Sequence, residues 1–303
     1  MSNLPTLSRR TWLAPIGAIA FALAASLVSL KAFAAEPAKL ILRVDDIGMT
    51  HATNQGLQDL ADLKIPFAAS VMFTTPWYQE AVEILRANPQ ISVGVHLTLN
   101  AEWRHYRWGP IAGRNEVPSL INDTGYFYPS TAEFLAQDIN LDEVRLELEA
   151  QIKRAIDTGL PITYVDYHMR TALATDEMVK VVTELAQQYQ LRMSMRMGEA
   201  YSTMFDVPIE DKADTFLAHL DNELDASKVN VVILHAARPN PEMQALIDLN
   251  NPIMNTADMA PLVSQHRATE LDMLLSPAVQ KRFSRGDITL INYADTDNPF
   301  AHK

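Results

Sequence analysis

Short runs of aliphatic and β-branched residues alternate along the chain with longer stretches whose apolar positions recur every three to four residues. The runs at 40–44, 67–73, 92–97, 162–168, 191–195, 229–234 and 289–293 predict seven strands. The stretches at 54–64, 76–88, 141–158, 175–189, 211–224 and 276–284 predict helices. Pro76 suits a first helical turn, Thr175 offers an N-cap hydroxyl and Gly159 marks a helix stop. Strands alternating with helices indicate parallel βα units, so the expected class is α/β, as one barrel or one wide sheet. No linker divides residues 35–303, which read as a single domain. Two stretches, 98–128 and 198–209, break the rhythm, and long irregular loops in a compact domain tend to carry function.

The first 34 residues follow another pattern. A polar start ending in Arg9-Arg10 leads into an apolar run from Thr11 to Leu30, then Ala32-Phe33-Ala34, a small-x-small cleavage pattern. Residues 1–34 are therefore expected to be a secretory signal peptide cut after Ala34, giving an exported, periplasmic or secreted protein. A retained membrane anchor is the rival reading. Ser8-Arg9-Arg10-Thr11-Trp12-Leu13 also resembles a twin-arginine export signal.

Composition narrows the function classes. The whole chain carries 25 basic and 37 acidic residues, a formal charge of −12, and no cysteine. Three basic residues and no acidic one fall before residue 35, so the remainder has a balance of −15. Such a surface repels phosphate backbones and anionic lipid, which argues against a nucleic-acid partner, and against a membrane partner once the signal is removed. Without cysteine there is no thiolate nucleophile and no Cys-ligated metal. Any ion must sit on His, Asp and Glu.

In βα folds reactive groups collect at the carboxyl ends of strands. Here the first predicted strand ends in Asp45-Asp46, the third in His96, the fourth in His168 and the sixth in His235. One aspartate and two histidines from separate strands can form a three-ligand site with open positions, the pattern of a catalytic rather than a structural metal. Alternation puts Tyr164, Asp166 and His168 on one face, and Ser92, Gly94 and His96 on another. Asp166 is thus expected to support His168, with Arg43 as a further supporting group behind the site. Adjacent side chains on extended backbone point apart, so one of Asp45 and Asp46 can ligate while the other acts as general base. Each signal alone also fits a satisfied structural histidine or an ordinary turn. Their agreement at one face carries the reading.

Taken together, Leu42-Arg43-Val44-Asp45-Asp46-Ile47-Gly48, Asn54-Gln55-Gly56, Gly94-Val95-His96-Leu97-Thr98-Leu99 and Val165-Asp166-Tyr167-His168 resemble, in this order, the motifs of the YdjC-like carbohydrate deacetylases, which include chitooligosaccharide deacetylases. Arg267-Ala268-Thr269-Glu270-Leu271 and Ile288-Thr289-Leu290-Ile291-Asn292-Tyr293 match the closing pattern, so the resemblance spans residues 39–296. It implies an incomplete seven-stranded (β/α) barrel of the glycoside hydrolase/deacetylase type, and metal-dependent removal of N-acetyl groups from an amino-sugar-containing carbohydrate. By position, Asp46, His96 and His168 would hold one divalent metal ion. Asp45 would be the catalytic base and His235 the acid. Mg2+ and Zn2+ both suit that ligand set.

Two departures stand out. Arg170 occupies a position where the family often has a second His, and it would bind a sugar hydroxyl or a carboxylate. Ala236-Ala237-Arg238-Pro239 replaces a His-Pro-Gly pattern after His235. Trp103, Tyr106 and Trp108 in the 98–130 insertion are expected to form a sugar-binding platform, against a loop core or a homodimer contact. His105 is not expected to be a ligand, His51 is expected at the surface or behind the site, and His219, His266 and His302 take structural readings. The competing functions are a metal-dependent phosphoesterase or amidohydrolase on the same residues, and a non-catalytic sugar-binding relative.

Overall fold

The computed structural model describes residues 36–301. The expected signal segment and His302 lie outside the described residues. Eight strands occur in chain order: β1 (Ala38–Ile47), β2 (Phe67–Val71), β3 (Ile91–Leu97), β4 (Ile162–Tyr167), β5 (Arg192–Met193), β6 (Ala200–Thr203), β7 (Val229–Leu234) and β8 (Ile288–Leu290). The helices are α1 (His51–Asp62), α2 (Tyr78–Arg86), α3 (Thr131–Leu135), α4 (Leu141–Asp157), α5 (Asp176–Gln188), α6 (Lys212–Asn222), α7 (Pro241–Gln244), α8 (Val263–Leu275) and α9 (Pro277–Phe283). Every strand pair is parallel, in the order β5-β4-β3-β2-β1-β7-β6, with β8 joining the start of β1. This is the incomplete barrel that the family resemblance implies, seven strands in its main order with β8 added at the start of β1.

Four elements differ from expectation: β6 falls inside a stretch that reads as irregular, and α3, α7 and α8 lie where the pattern predicts no helix. β6 is four residues long, and all four are only partly buried, so it has no apolar run to announce it. α8 turns Ser264, His266, Arg267 and Glu270 inward beside Val263, Leu271 and Leu274. Buried polar residues erase the apolar stripe by which a helix is normally recognised.

The barrel is open between β5 and β6. Side chains span the gap where a ladder is missing: the Tyr201 hydroxyl lies 2.5 Å from Ser194 Oγ and accepts the Met195 N–H at 2.6 Å. The main apolar core lies between the outer sheet face and the helices, with Leu40, Leu42 and Val44 of β1 facing outward into it. On the inner face a small plug of Ile41, Ala68, Tyr164, Val231 and Tyr293 fills the barrel. The alternate positions above it are polar and lead to the carboxyl-end mouth. Gly94 is glycine because the Tyr164 ring lies across it, and an added Cβ would stand 2.3 Å from Tyr164 Cζ.

Candidate active site

At the end of β1 the register with β2 slips: Val44 pairs with Ala69, but Ile47 pairs with Val71. Three steps on β1 match two on β2, which makes a bulge at Asp45-Asp46, with Asp46 in the left-handed region at φ 61°. The pair therefore does not stand on the extended backbone expected from the sequence. The bulge brings both carboxylates to the mouth, and aspartate is among the residues that tolerate this conformation. Asn54 braces the turn by accepting the Gly48 N–H at 2.9 Å. Gly48 itself has φ 83°, and a Cβ there would lie 2.9 Å from Tyr78 Cα.

Asp46 Oδ1 lies 3.3 Å from His96 Nε2 and 3.2 Å from His168 Nδ1. The three residues are buried, and their ligand atoms lie within 4.8 Å of one another. Each imidazole turns its far nitrogen to another carboxylate: His96 Nδ1 to Asp166 at 3.0 Å, and His168 Nε2 to Glu102 at 2.9 Å. Such carboxylate–histidine pairs fix ring orientation in metal sites. Asp166 was expected to support His168. It supports His96 instead, because His96 and Asp166 are register partners on neighbouring strands, and the role at His168 falls to Glu102. Glu102 was missed in the sequence, where it sits as a lone acid in an irregular loop.

Asp46 Oδ2 accepts from Arg267 at 2.5 Å, so the two oxygens of this carboxylate face different partners. Burial pushes Asp46 up, but Arg267 and the two histidines outweigh it and hold the carboxyl well below its usual range. Burial would lower both histidines. Asp166 and Asp45 raise His96 instead to about 9, and Glu102 with Asp46 raises His168 to about 10.

Arg43 reaches both oxygens of Asp45, at 2.8 and 2.7 Å, and Asp166 at 3.0 Å. Asp45, His96 and Asp166 also converge closely enough for an ion. The Arg43 guanidinium already supplies the cation that links Asp45 to Asp166, so the donor set suits one divalent ion, at Asp46, His96 and His168. Two imidazole nitrogens and one carboxylate oxygen, with supported rings and an adjoining cavity, fit such an ion.

That cavity, of about 560 Å³, is lined among others by His235, Phe205, Tyr201, Trp103, Arg170 and Asp248. His235 follows β7 and packs on Phe205, ring centroids 5.1 Å apart. Burial pulls it down to about 4, with Asp46 opposing and Arg267 adding to the effect. His235 is therefore neutral near pH 7, and in the acid role that the resemblance implies it would give a proton only after gaining one. Its Nδ1 is buried without a partner among the described residues.

The aromatic platform is also corrected. Trp103 lines the cavity, but it is 2% exposed and lies beneath Arg267, whose Cζ is 5.7 Å from its ring centroid. Tyr106 and Trp108 are not among the lining residues. Tyr106 donates to the Met49 carbonyl, and Trp108 packs edge-on against Tyr106 and His168. The loop buries both tryptophans, and half-buries Tyr106, because it has a core of its own, with Leu99, Val117, Leu120 and Phe127 inaccessible to solvent. Arg170 is exposed at the rim, two residues after His168, with φ 60°. Arg238 turns away to pair with Asp59 on α1. His51 pairs with Glu80, His219 with Ser202 and Glu223, and His266 is buried.

Asp248 gives a pH-dependent check on this mouth. Burial pushes it up to about 6, with the Asn250 and Asn251 N–H groups opposing and Glu102 adding. A carboxyl raised above its unfolded value near 3.8 holds its proton longer when folded, so stability falls as pH rises from about 4 through 6. Asp248→Asn keeps an oxygen for both amides and removes that loss, on the order of 2 kcal/mol. Urea unfolding at pH 4.5 and 7.5 should show a flatter profile for the variant than for the native chain.

A model of the YdjC-like protein family matches residues 39–285. The chain belongs to the YdjC-like family. This YdjC-like protein is 30% identical to a carbohydrate deacetylase of Thermoanaerobacter pseudethanolicus over 152 residues, half of this chain and 58% of that relative. It is 28% identical over 267 residues to a carbohydrate deacetylase of Geobacillus stearothermophilus, covering 86% of this chain and 98% of that one. A solved Enterococcus faecalis structure, named for cellobiose-phosphate cleavage, aligns with a TM-score of 0.65 at 25% identity, over 86% of this chain and 98% of that chain. The chain thus spans little more than half of the first relative but nearly all of the other two.

Among the described residues, no helix is long and apolar enough to cross a membrane.

Proposed function

We propose that this YdjC-like protein is a carbohydrate deacetylase that hydrolyses the N-acetyl group of an amino sugar, with one divalent ion held by Asp46, His96 and His168. The observation that carries the reading is the meeting of Asp46 Oδ1 with both imidazoles at 3.2–3.3 Å, beside a second carboxylate at a cavity. Carbohydrate deacetylase relatives that match across most of the chain support the same chemistry. An ion bound there supplies Lewis-acid polarisation of the acetamide carbonyl and eases ionisation of water.

The chain's own groups then divide the proton work. Asp45, whose oxygens keep lone pairs beyond those given to Arg43, accepts the proton of the attacking water. Hydroxide adds to the acyl carbon, the C–N bond breaks, and the sugar nitrogen takes up a proton. His235, neutral at the start, receives the proton that Asp45 took from water and passes it to that nitrogen, which leaves both groups as they began. The products are acetate and a free amine. Residues 1–34 serve export in this reading, and the carbohydrate is met outside the cytoplasm.

The deciding experiment measures acetate release from N-acetylated oligosaccharides, before and after chelation and after Mg2+ or Zn2+ is returned. Phosphate release from sugar phosphates is measured alongside. Metal-dependent acetate release is expected, and phosphate release without acetate would overturn the proposal. Arg170, at the rim, meets a sugar hydroxyl or carboxylate. Arg170→Ala is expected to raise KM about tenfold, the worth of one hydrogen bond to a charged group. Ion affinity, measured by titration calorimetry, should not change.

A further inference from the structure

Lys212 and Glu270, neither of them a proposed ligand, form an ion pair at 2.7 Å, with side chains 0% and 1% exposed. Neither is a favourable place for charge. Burial removes the hydration of both ions, and Lys212 opens α6, where the helix dipole disfavours a cation. Replacing a buried pair with apolar residues of similar volume is often neutral or stabilising, so stability alone is a weak reason for this one. Its connections suggest another. Glu270 Oε1 takes Lys212, while its Oε2 accepts the backbone N–H of His235 at 2.5 Å. Lys212 Nζ also donates to the carbonyl of Met204, the residue before Phe205.

His235 and Phe205 are the two aromatic rings in contact at this wall of the cavity. They stand two residues beyond Ile233 and Thr203, which are register partners on β7 and β6. β6 is also the edge of the open barrel, where no further strand holds it. Both sides of the ring contact are thus tied by backbone groups to one Lys–Glu pair contributed by α6 and α8.

We propose that Lys212 and Glu270 are positioning residues that set the placement of His235 against Phe205 at the substrate face. The idea rests on the deacetylase reading only in taking His235 to face the reacting group. The test compares the native chain with K212M/E270M and with K212M/E270Q, whose Gln carbonyl can still accept the His235 N–H. K212M/E270M is expected to melt within a few degrees of the native chain, to lose at least about tenfold in kcat, and to keep KM within about twofold. K212M/E270Q should recover most of that kcat, a rescue that a purely structural role does not predict.

A folded K212M/E270M with native kcat would overturn the proposal. If K212M/E270M does not fold, a crystal structure of K212M/E270Q decides. His235 held with Phe205 displaced supports it, and both rings in their native places overturn it. If the native chain releases no acetate from any N-acetylated sugar, the deacetylase reading falls. The same crystal comparison of ring positions then judges the positioning role independently.

Discussion

Asp45→Asn is expected to lower acetate release by about 10²–10⁴-fold, the span typical for loss of a general base, with divalent-ion affinity kept close to native. The side chain lies outside the Asp46, His96 and His168 cluster, and its oxygens face Arg43. Asparagine has nearly the same shape and still offers Arg43 one oxygen, but it cannot take a proton from water at neutral pH. Titration calorimetry with Zn2+ and Mg2+, run beside the acetate assay, separates the two effects. A variant with native turnover would remove Asp45 from the base role.

Asp46→Asn should give the opposite pattern in binding and the same loss in turnover. Its Oδ1 is the point on which both imidazoles converge, while Oδ2 holds Arg267. Converting it to an amide removes the only carboxylate of the cluster. It also leaves the Arg267 cation close to the site without its counter-charge. Ion affinity is expected to fall by about 100-fold or more, since this is a ligand and loss of a mere supporting partner already costs 10–100-fold. Calorimetry should show weak or no binding, and excess metal should restore little acetate release. Tight binding by this variant would show that the ion is held elsewhere.

The sequence revealed most of this site because parallel βα folds place chemistry at strand ends, and Asp45, Asp46, His96, His168 and His235 all stand there. The fold was legible for the same reason, its strands being buried apolar runs with little ambiguity. What stayed hidden came from two physical sources. Glu102 reaches His168 from an irregular loop, where no periodicity fixes a side chain's direction. Arg267 and Glu270 lie on α8, whose inward-facing polar residues disguised the helix itself. The aromatic residues at 103–108 were misjudged because tryptophan and tyrosine serve a loop's private core as readily as a binding surface. Only burial distinguishes the two. The partner of Asp166 depended on inter-strand register, which alternation within one strand does not specify.

Glu102 belongs to the chain segment that roofs the mouth, and that segment is stitched to a distant one: Arg104 N–H reaches the Ile247 carbonyl, and Leu249 N–H the Glu102 carbonyl. Orientation of His168 is therefore not a property of the barrel alone. Divergence that lengthens or exchanges this covering segment to suit a different glycan must return an acidic group to the same spot, or the imidazole loses its brace. Under the proposed deacetylase function, substrate range and ion retention would in this way be inherited together, through one stretch of sequence that would otherwise be free to drift.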